Sequence, residues 1–197
     1  MSKPLFCILG CSASGKTTIC NKLEEDHKLK QIPSYTTRCP RYTGEKGHTF
    51  VSEEEFDKLT DIVAYNYYLN NHYGVTTEQI DNEDYDLYVV DFTGLKYLKE
   101  KYHGKRKIIS IYIDVSLSER YKRLHDRYFK QYVGNMEGYA LATDVTLRRV
   151  INDVEEFHGA AEYCDYVVEN NGDLDSTVYR VSQIIKGETD NEDKNAD

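Results

Sequence analysis

Tryptophan is absent from the 197 residues, proline occurs only three times, and no apolar run is long. The opening run Leu5-Phe6-Cys7-Ile8-Leu9 is too short for a signal-peptide core or a membrane span, and nothing later is long enough either. Positive charge is in deficit: 25 Lys and Arg against 34 Asp and Glu give a formal net charge of −9. That balance argues against a general nucleic-acid binder, because phosphate backbones repel it. It leaves nucleotide binding open, since one phosphate needs only a few local cations. The five cysteines, Cys7, Cys11, Cys20, Cys39 and Cys164, contain no CxxC pair and no metal-ligand spacing. Reduced thiols in a cytoplasmic compartment are therefore expected. Glycine and proline are not in excess and charged residues make up 30%, which argues against a fibrous or disordered chain. There are no internal repeats.

What is present suits one domain with a small inserted subdomain. Hydrophobic residues amount to 40%, enough for a core. Leu5 to Leu9, bounded by Pro4 and Gly10, reads as a buried parallel strand. Thr17 to Asp26 follows with Ile19, Cys20 and Leu23 at helical spacing. Further strands are expected at Leu87 to Val90, Ile108 to Ile113 and Tyr166 to Val168. Helices are expected over Gly94–Lys101, Leu117–Arg127, Thr143–Phe157 and Ser176–Lys186. Strands alternating with helices predict a parallel α/β sheet. Ile32 to about Ile80 breaks the rhythm and reads as an insertion of mixed strands. Tyr128 to Ala142, with Gly134 and Gly138, reads as an irregular piece and a lid candidate. The acidic end from Gly187 to Asp197 reads as a disordered, solvating tail.

Gly10-Cys11-Ser12-Ala13-Ser14-Gly15-Lys16-Thr17 fits G-x-x-x-x-G-K-[ST] without a gap. Each residue type has a task. Gly10 and Gly15 permit turns that aim backbone N–H groups at phosphate oxygens. The helix that follows, entered through Lys16, Thr17 and Thr18, adds its positive end. Lys16 brings a compact positive charge to the β- and γ-phosphates. Thr17 offers a hydroxyl to Mg²⁺, and Asp91 ends a buried strand, where a Mg²⁺-supporting or substrate-binding carboxylate lies in an open α/β sheet. A strand before this loop and a helix after it are the context such a phosphate loop requires. Downstream, Arg38 and Arg41 stand three apart around Pro40, a forked pair suited to a second phosphate.

The segment Ser34-Tyr35-Thr36-Thr37-Arg38-Cys39-Pro40-Arg41, with Gly44-Glu45, resembles the guanylate kinase family. Thr49-Phe50-Val51-Ser52, Asn71-His72-Tyr73-Gly74, Val90-Asp91, the stretch Arg123 to Arg127, Arg148-Arg149 with Glu156, and Asp165 to Asn170 extend the likeness from Leu5 to about Ile185. The resemblance implies an α/β fold: a P-loop NTPase parallel sheet flanked by helices, an inserted mixed-β acceptor-binding subdomain and a helical lid. One domain over 1–186 is expected, with core 1–32, 81–127 and 157–186, acceptor subdomain 33–80, lid 128–156, and the tail from 187. It implies an ATP-dependent nucleoside monophosphate kinase using Mg²⁺, with ATP and a nucleoside monophosphate as its partners. No nucleic acid or membrane partner is expected, and the chain is expected to be a monomer or homodimer. Gly10, Ser12, Ala13, Ser14, Gly15, Lys16, Thr17 and Thr18 would hold ATP, with Asn170 near the adenine. Arg38, Arg41 and Tyr73 would hold the acceptor phosphate, with Ser34 near the acceptor nucleotide. Asp91 would lie between acceptor and metal, and Arg127 and Arg149 would close over the transferring group.

The departures fall on the base pocket. Counting back from Gly74, the family's guanine-reading glutamate falls on Ala64, its Ser or Thr after Tyr-Gly is Val75, and its tyrosine before Thr-Phe is His48. Losing a charged acceptor costs about 1.5–3 kcal/mol of discrimination. Asn66, on the same strand face as Ala64, offers an amide that both donates and accepts. GMP or dGMP is the family's acceptor. A pyrimidine or modified deoxynucleotide, or a sugar bisphosphate, are the alternatives, and a non-catalytic binding module is the reading from another class.

Overall fold

A computed structural model of the chain describes residues 2–132 and 136–194. The elements in chain order are β1 (Leu5–Leu9), α1 (Lys16–His27), β2 (Ser34–Thr36), β3 (His48–Phe50), α2 (Glu53–Phe56), β4 (Ile62–Tyr68), β5 (Asn71–Thr76), α3 (Thr77–Asp81), β6 (Leu87–Val89) and α4 (Phe92–Lys101). They continue with β7 (Ile108–Asp114), α5 (Leu117–Gln131), α6 (Met136–Glu156), α7 (Ala160–Tyr163), β8 (Tyr166–Glu169) and α8 (Leu174–Lys194).

The main sheet has the order β6-β1-β7-β8, with every pairing parallel. β1 is buried on both faces because its side chains alternate between two cores. Leu5, Cys7 and Leu9 join Tyr88, Leu95 and Leu98 on one side. Phe6 and Ile8 join Ile19, Leu23, Ile111 and Val181 on the other. Cys7 and Cys20 sit in these cores, where burial pushes both thiols up, Cys20 to about 12. They pack as small apolar groups.

The insertion forms a second sheet of order β3-β2-β5-β4, in which β2 and β3 are parallel and the other pairs antiparallel. Leu69 and Asn70 both take positive φ, 48° and 60°, so β4 and β5 meet in a two-residue hairpin of the I′ kind. The hairpin register puts Asn66 opposite Tyr73 and Ala64 opposite Val75.

Two expectations fail on helix content. The piece read as irregular is mostly helical: α5 runs on to Gln131 and α6 begins at Met136. Gly138 is a buried helical residue and Gly134 lies outside the described residues. Aromatic contacts hold the arms together, His125 and Phe129 each meeting Tyr139 edge-on. The acidic end is likewise helical through Lys194, and only 195–197 lie outside the described residues. Val178, Val181 and Ile185 anchor α8 in the core. Glu188 then accepts from Lys107 and from the Tyr166 hydroxyl, so part of the negative charge is paired. Among the described residues no helix is long and apolar enough to cross a membrane.

Arg106 ties the sheet's entry together. The residue is 4% exposed, and its guanidinium donates to five backbone carbonyls: Lys3, Pro4, Ile80, Asn82 and Tyr85, at 2.7–3.0 Å.

Candidate active site

β1 ends at Leu9 and α1 begins at Lys16, so Gly10 to Gly15 turn at the end of a buried strand, against the start of a helix. Gly10 has φ +148° and Gly15 φ +96°; Ala13 takes a positive φ of 59°. A Cβ on Gly10 would lie 2.6 Å from the Ile113 carbonyl oxygen. Gly10→Ala is therefore expected to distort the loop, lowering stability by about 1–3 kcal/mol in a thermal melt and weakening nucleotide binding. Lys16 reaches back over the loop and donates to the carbonyls of Gly10 at 2.6 Å and Cys11 at 3.1 Å. Burial lowers its pKa, against the opposing pull of Asp153.

The loop forms one wall of a cleft of about 260 Å³. Arg41, His48 and Tyr73 line it from the second sheet, Asp91 from the end of β6, Arg127 from α5, and Arg149 from α6. Arg149 donates from Nε to Ser12 Oγ at 3.0 Å and lies over the Tyr68 ring at 5.8 Å. Arg148 instead pairs with Asp144 on the exposed side of α6. A smaller cavity of about 50 Å³ leads inward, lined by Ser34, Ala64 and Asn66 and sharing His48, Tyr73 and Asp91 with the cleft. Asp91 caps α4, accepting the Gly94 N–H at 2.6 Å on Oδ1, while Asn66 Nδ2 donates to Oδ2 at 2.7 Å. Burial raises the Asp91 pKa, and the Asn66 and Gly94 hydrogen bonds oppose that rise. His48 shares a 2.8 Å hydrogen bond between Nδ1 and Ser34 Oγ. Burial, then the nearby Arg38 charge, bring its pKa down to about 4, so the ring is neutral at pH 7.

No protein-family model matches the chain. Curated relatives do. Guanylate kinase of Neisseria gonorrhoeae is 37% identical over 83 residues, 39% of this chain and 40% of that protein. Guanylate kinase of Clostridium tetani is 32% identical over 133 residues, 62% of each chain. The chain thus spans less than two thirds of the length of either relative. Guanylate kinase of Hydrogenovibrio crunogenus is 28% identical over 183 residues, 87% of this chain and 82% of that protein. Over these stretches the chain is similar to guanylate kinases. The solved guanylate kinase of Anaplasma phagocytophilum shares the fold, with a TM-score of 0.67 and 24% identity over 96% of this chain and 88% of that one.

Several residues stand differently here from the family-based expectation. Arg38 does not line the cleft. Its guanidinium pairs with Glu45, Nη2 to Oε1 at 2.9 Å and Nη1 to Oε2 at 3.2 Å, and lies over Phe50 at 5.3 Å. Burial pushes Glu45 up, but the hydrogen bonds from Arg38 and from the Arg41 N–H outweigh it and its pKa falls. Arg38 thus braces the turn that presents Arg41. Asn170 lines neither cavity. It lies buried under the phosphate loop, donating from Nδ2 to the Ser14 carbonyl at 2.8 Å and accepting from Thr177 at 3.1 Å. A Cβ on Gly15 would come within 2.6 Å of that amide nitrogen, so Asn170 props the loop from behind. Val75 is fully buried in the core and lines neither cavity.

Sequence reasoning gave no role to Asp153 and Phe157, which line the cleft together with Tyr68 and Glu156. A signal existed for Asp153. It lies four residues after Arg149 on α6, a spacing that puts both on one helix face. Glu156 is raised to about 7, first by burial and then by the charges of Asp91 and Asp153.

Proposed function

We propose that the chain is an ATP-dependent nucleoside monophosphate kinase, moving the γ-phosphoryl group of ATP to a (deoxy)nucleoside monophosphate. One observation carries this reading: the phosphate loop with Lys16 and a second cationic wall with Arg41 and Tyr73 face the same cleft, with Asp91 between them. A phosphate oxygen of the acceptor forms the new bond to the γ-phosphorus as the bond to the β–γ bridging oxygen breaks, and ADP leaves. Such transfer needs little covalent help from the protein and runs on positioning and positive charge around the equatorial oxygens. Lys16, Arg127 and Arg149 supply that charge. The Thr17 hydroxyl and the Asp91 carboxylate border the same space, and these oxygen donors would hold magnesium together with nucleotide phosphate oxygens. It would offset phosphate charge during transfer.

The acceptor base meets an unusual pocket. Asp91 is the carboxylate lining the inner cavity, and both its oxygens already accept hydrogen bonds. Ala64 offers nothing polar where a guanine-reading carboxylate is expected. Beyond their bonds to Asp91 and to each other, the Asn66 amide, the neutral His48 and the Ser34 hydroxyl keep spare donors and acceptors for purine or pyrimidine edges. This supports relaxed base choice around GMP and dGMP, with pyrimidine monophosphates also accepted. Turnover of nucleoside monophosphates with Mg-ATP, followed by ADP release, tests both parts. Pyrimidine and guanine acceptors are expected within about tenfold of each other in kcat/KM. A preference for GMP above about a hundredfold would sink the relaxed-base reading. Absence of turnover with every monophosphate would sink the kinase assignment itself.

A further inference from the structure

Asp153 has no task in that reading, yet its carboxylate is among the most heavily bonded groups of the cleft. Its side chain is 2% exposed. Oδ2 accepts the Ser12 backbone N–H at 2.7 Å and Arg120 Nη1 at 3.1 Å. Oδ1 accepts the Ser12 hydroxyl at 3.0 Å. Ser12 belongs to the phosphate loop, whose inward N–H groups make a cradle for anions. A carboxylate therefore already occupies one of the loop's donors, and both residues line the cleft. Lys16 meanwhile bonds to the loop's own carbonyls. Arg120 comes from α5 and Asp153 from α6, so the same bonds fasten the helical arms to the loop.

A terminal phosphate entering this cradle brings negative charge beside a buried carboxylate, a like-charge contact that low local dielectric makes costly. The two anions compete for the loop. We propose that Asp153 is a built-in stand-in for donor phosphate: its carboxylate holds the Ser12 donors, and polyphosphate binds by displacing it and releasing α6 from Ser12. The proposal rests on the reading of the loop as the donor site. It makes Asp153 an affinity-setting residue rather than a group that touches the reacting atoms. If the occupied arrangement dominates by about ten to one, it weakens apparent polyphosphate affinity about tenfold.

Calorimetric titration with tripolyphosphate tests this on the wild type, Asp153→Asn and Asp153→Ser, with melting curves to confirm folding. The neutral variants are expected to bind about tenfold more tightly. Unchanged or weaker binding in both overturns the proposal. Lys16→Ala in the Asp153→Asn background separates the two levels. If that change leaves tripolyphosphate binding intact, the donor-site reading fails first and the stand-in falls with it. A structure of the wild type with bound tripolyphosphate gives a readout independent of the variants. Asp153 withdrawn from Ser12 is expected, and the 2.7 Å contact persisting beside bound phosphate overturns the proposal.

Discussion

Lys16→Ala is expected to lower the rate of phosphoryl transfer by about 10²–10³-fold while leaving the fold intact. The magnitude is that of removing one preorganised charge from a transition state held in a water-poor site. The geometry explains why no neighbour replaces it. Lys16 follows the positive-φ turn at Gly15 and opens α1, so its ammonium lies directly over the loop. Arg127 and Arg149 approach from the helical arms instead, and Arg149 is already bonded to Ser12. The stability sign follows from the titration. Burial lowers the Lys16 pKa, so below its unfolded value near 10.5 the unfolded chain holds this proton more tightly than the folded one. At neutral pH the charge works against folding, and its removal is expected to leave the melting temperature unchanged or slightly raised. ADP release measured beside thermal unfolding checks both halves. A variant with full activity would remove Lys16 from the reaction, whereas a large fall in melting temperature would contradict the assigned burial effect.

The residues legible in the sequence are those whose role is set by neighbours in the chain. β1 can be read because its apolar run is bounded by Pro4 and Gly10 and is buried on both faces. The loop is legible because its geometry is local: two glycines, a lysine and a helix start. Asn66 was legible through the period of two along β4, which puts it beside Ala64 in the inner cavity. The illegible features depend on partners that no local pattern pairs with them. Arg38 looks like a free clamp until the fold brings Glu45 beneath it and Phe50 against its face. Asn170 looks available to a base until β8 carries it under Ser14, 156 positions away. Asp153 reads as one more acid on an exposed helix, because the chain does not reveal that α6 lies against the loop. The helical tail was hidden in the same way, since its composition favours solvation and the Glu188 partners Lys107 and Tyr166 lie far back in the chain. Buried polar pairing is decided by tertiary contact, and local pattern carries little of it.

Arg106 follows the same logic and leads to the largest expected loss of stability. Arg106→Leu is expected to destabilise the protein by about 3–5 kcal/mol, the range for removing one partner from a buried charged network. The side chain joins three segments at once. Nε and Nη2 bind the carbonyls of Lys3 and Pro4, just before β1. Nη1 binds those of Ile80 and Asn82 at the end of α3, and Nη2 also binds Tyr85 before β6. Leucine fills part of the volume but leaves those carbonyls without a donor, and each orphaned buried acceptor costs about 1–3 kcal/mol before relaxation. These costs are not additive, because the carbonyls share one donor and will reach water together once the site opens. Tyr102 adds a second tier, its hydroxyl accepting the Arg106 N–H at 3.1 Å and donating to Asp81 at 2.6 Å. Lysine is expected to recover less than half of the loss, since three donors on one nitrogen cannot reproduce a planar fork that serves five acceptors. Against a total stability of about 5–15 kcal/mol, the leucine variant sits near the threshold of folding. Urea unfolding measures it as a fall in midpoint at unchanged slope. A loss under about 1 kcal/mol would mean that the carbonyls find water without Arg106, and that β1 and β6 hold their register through the core alone.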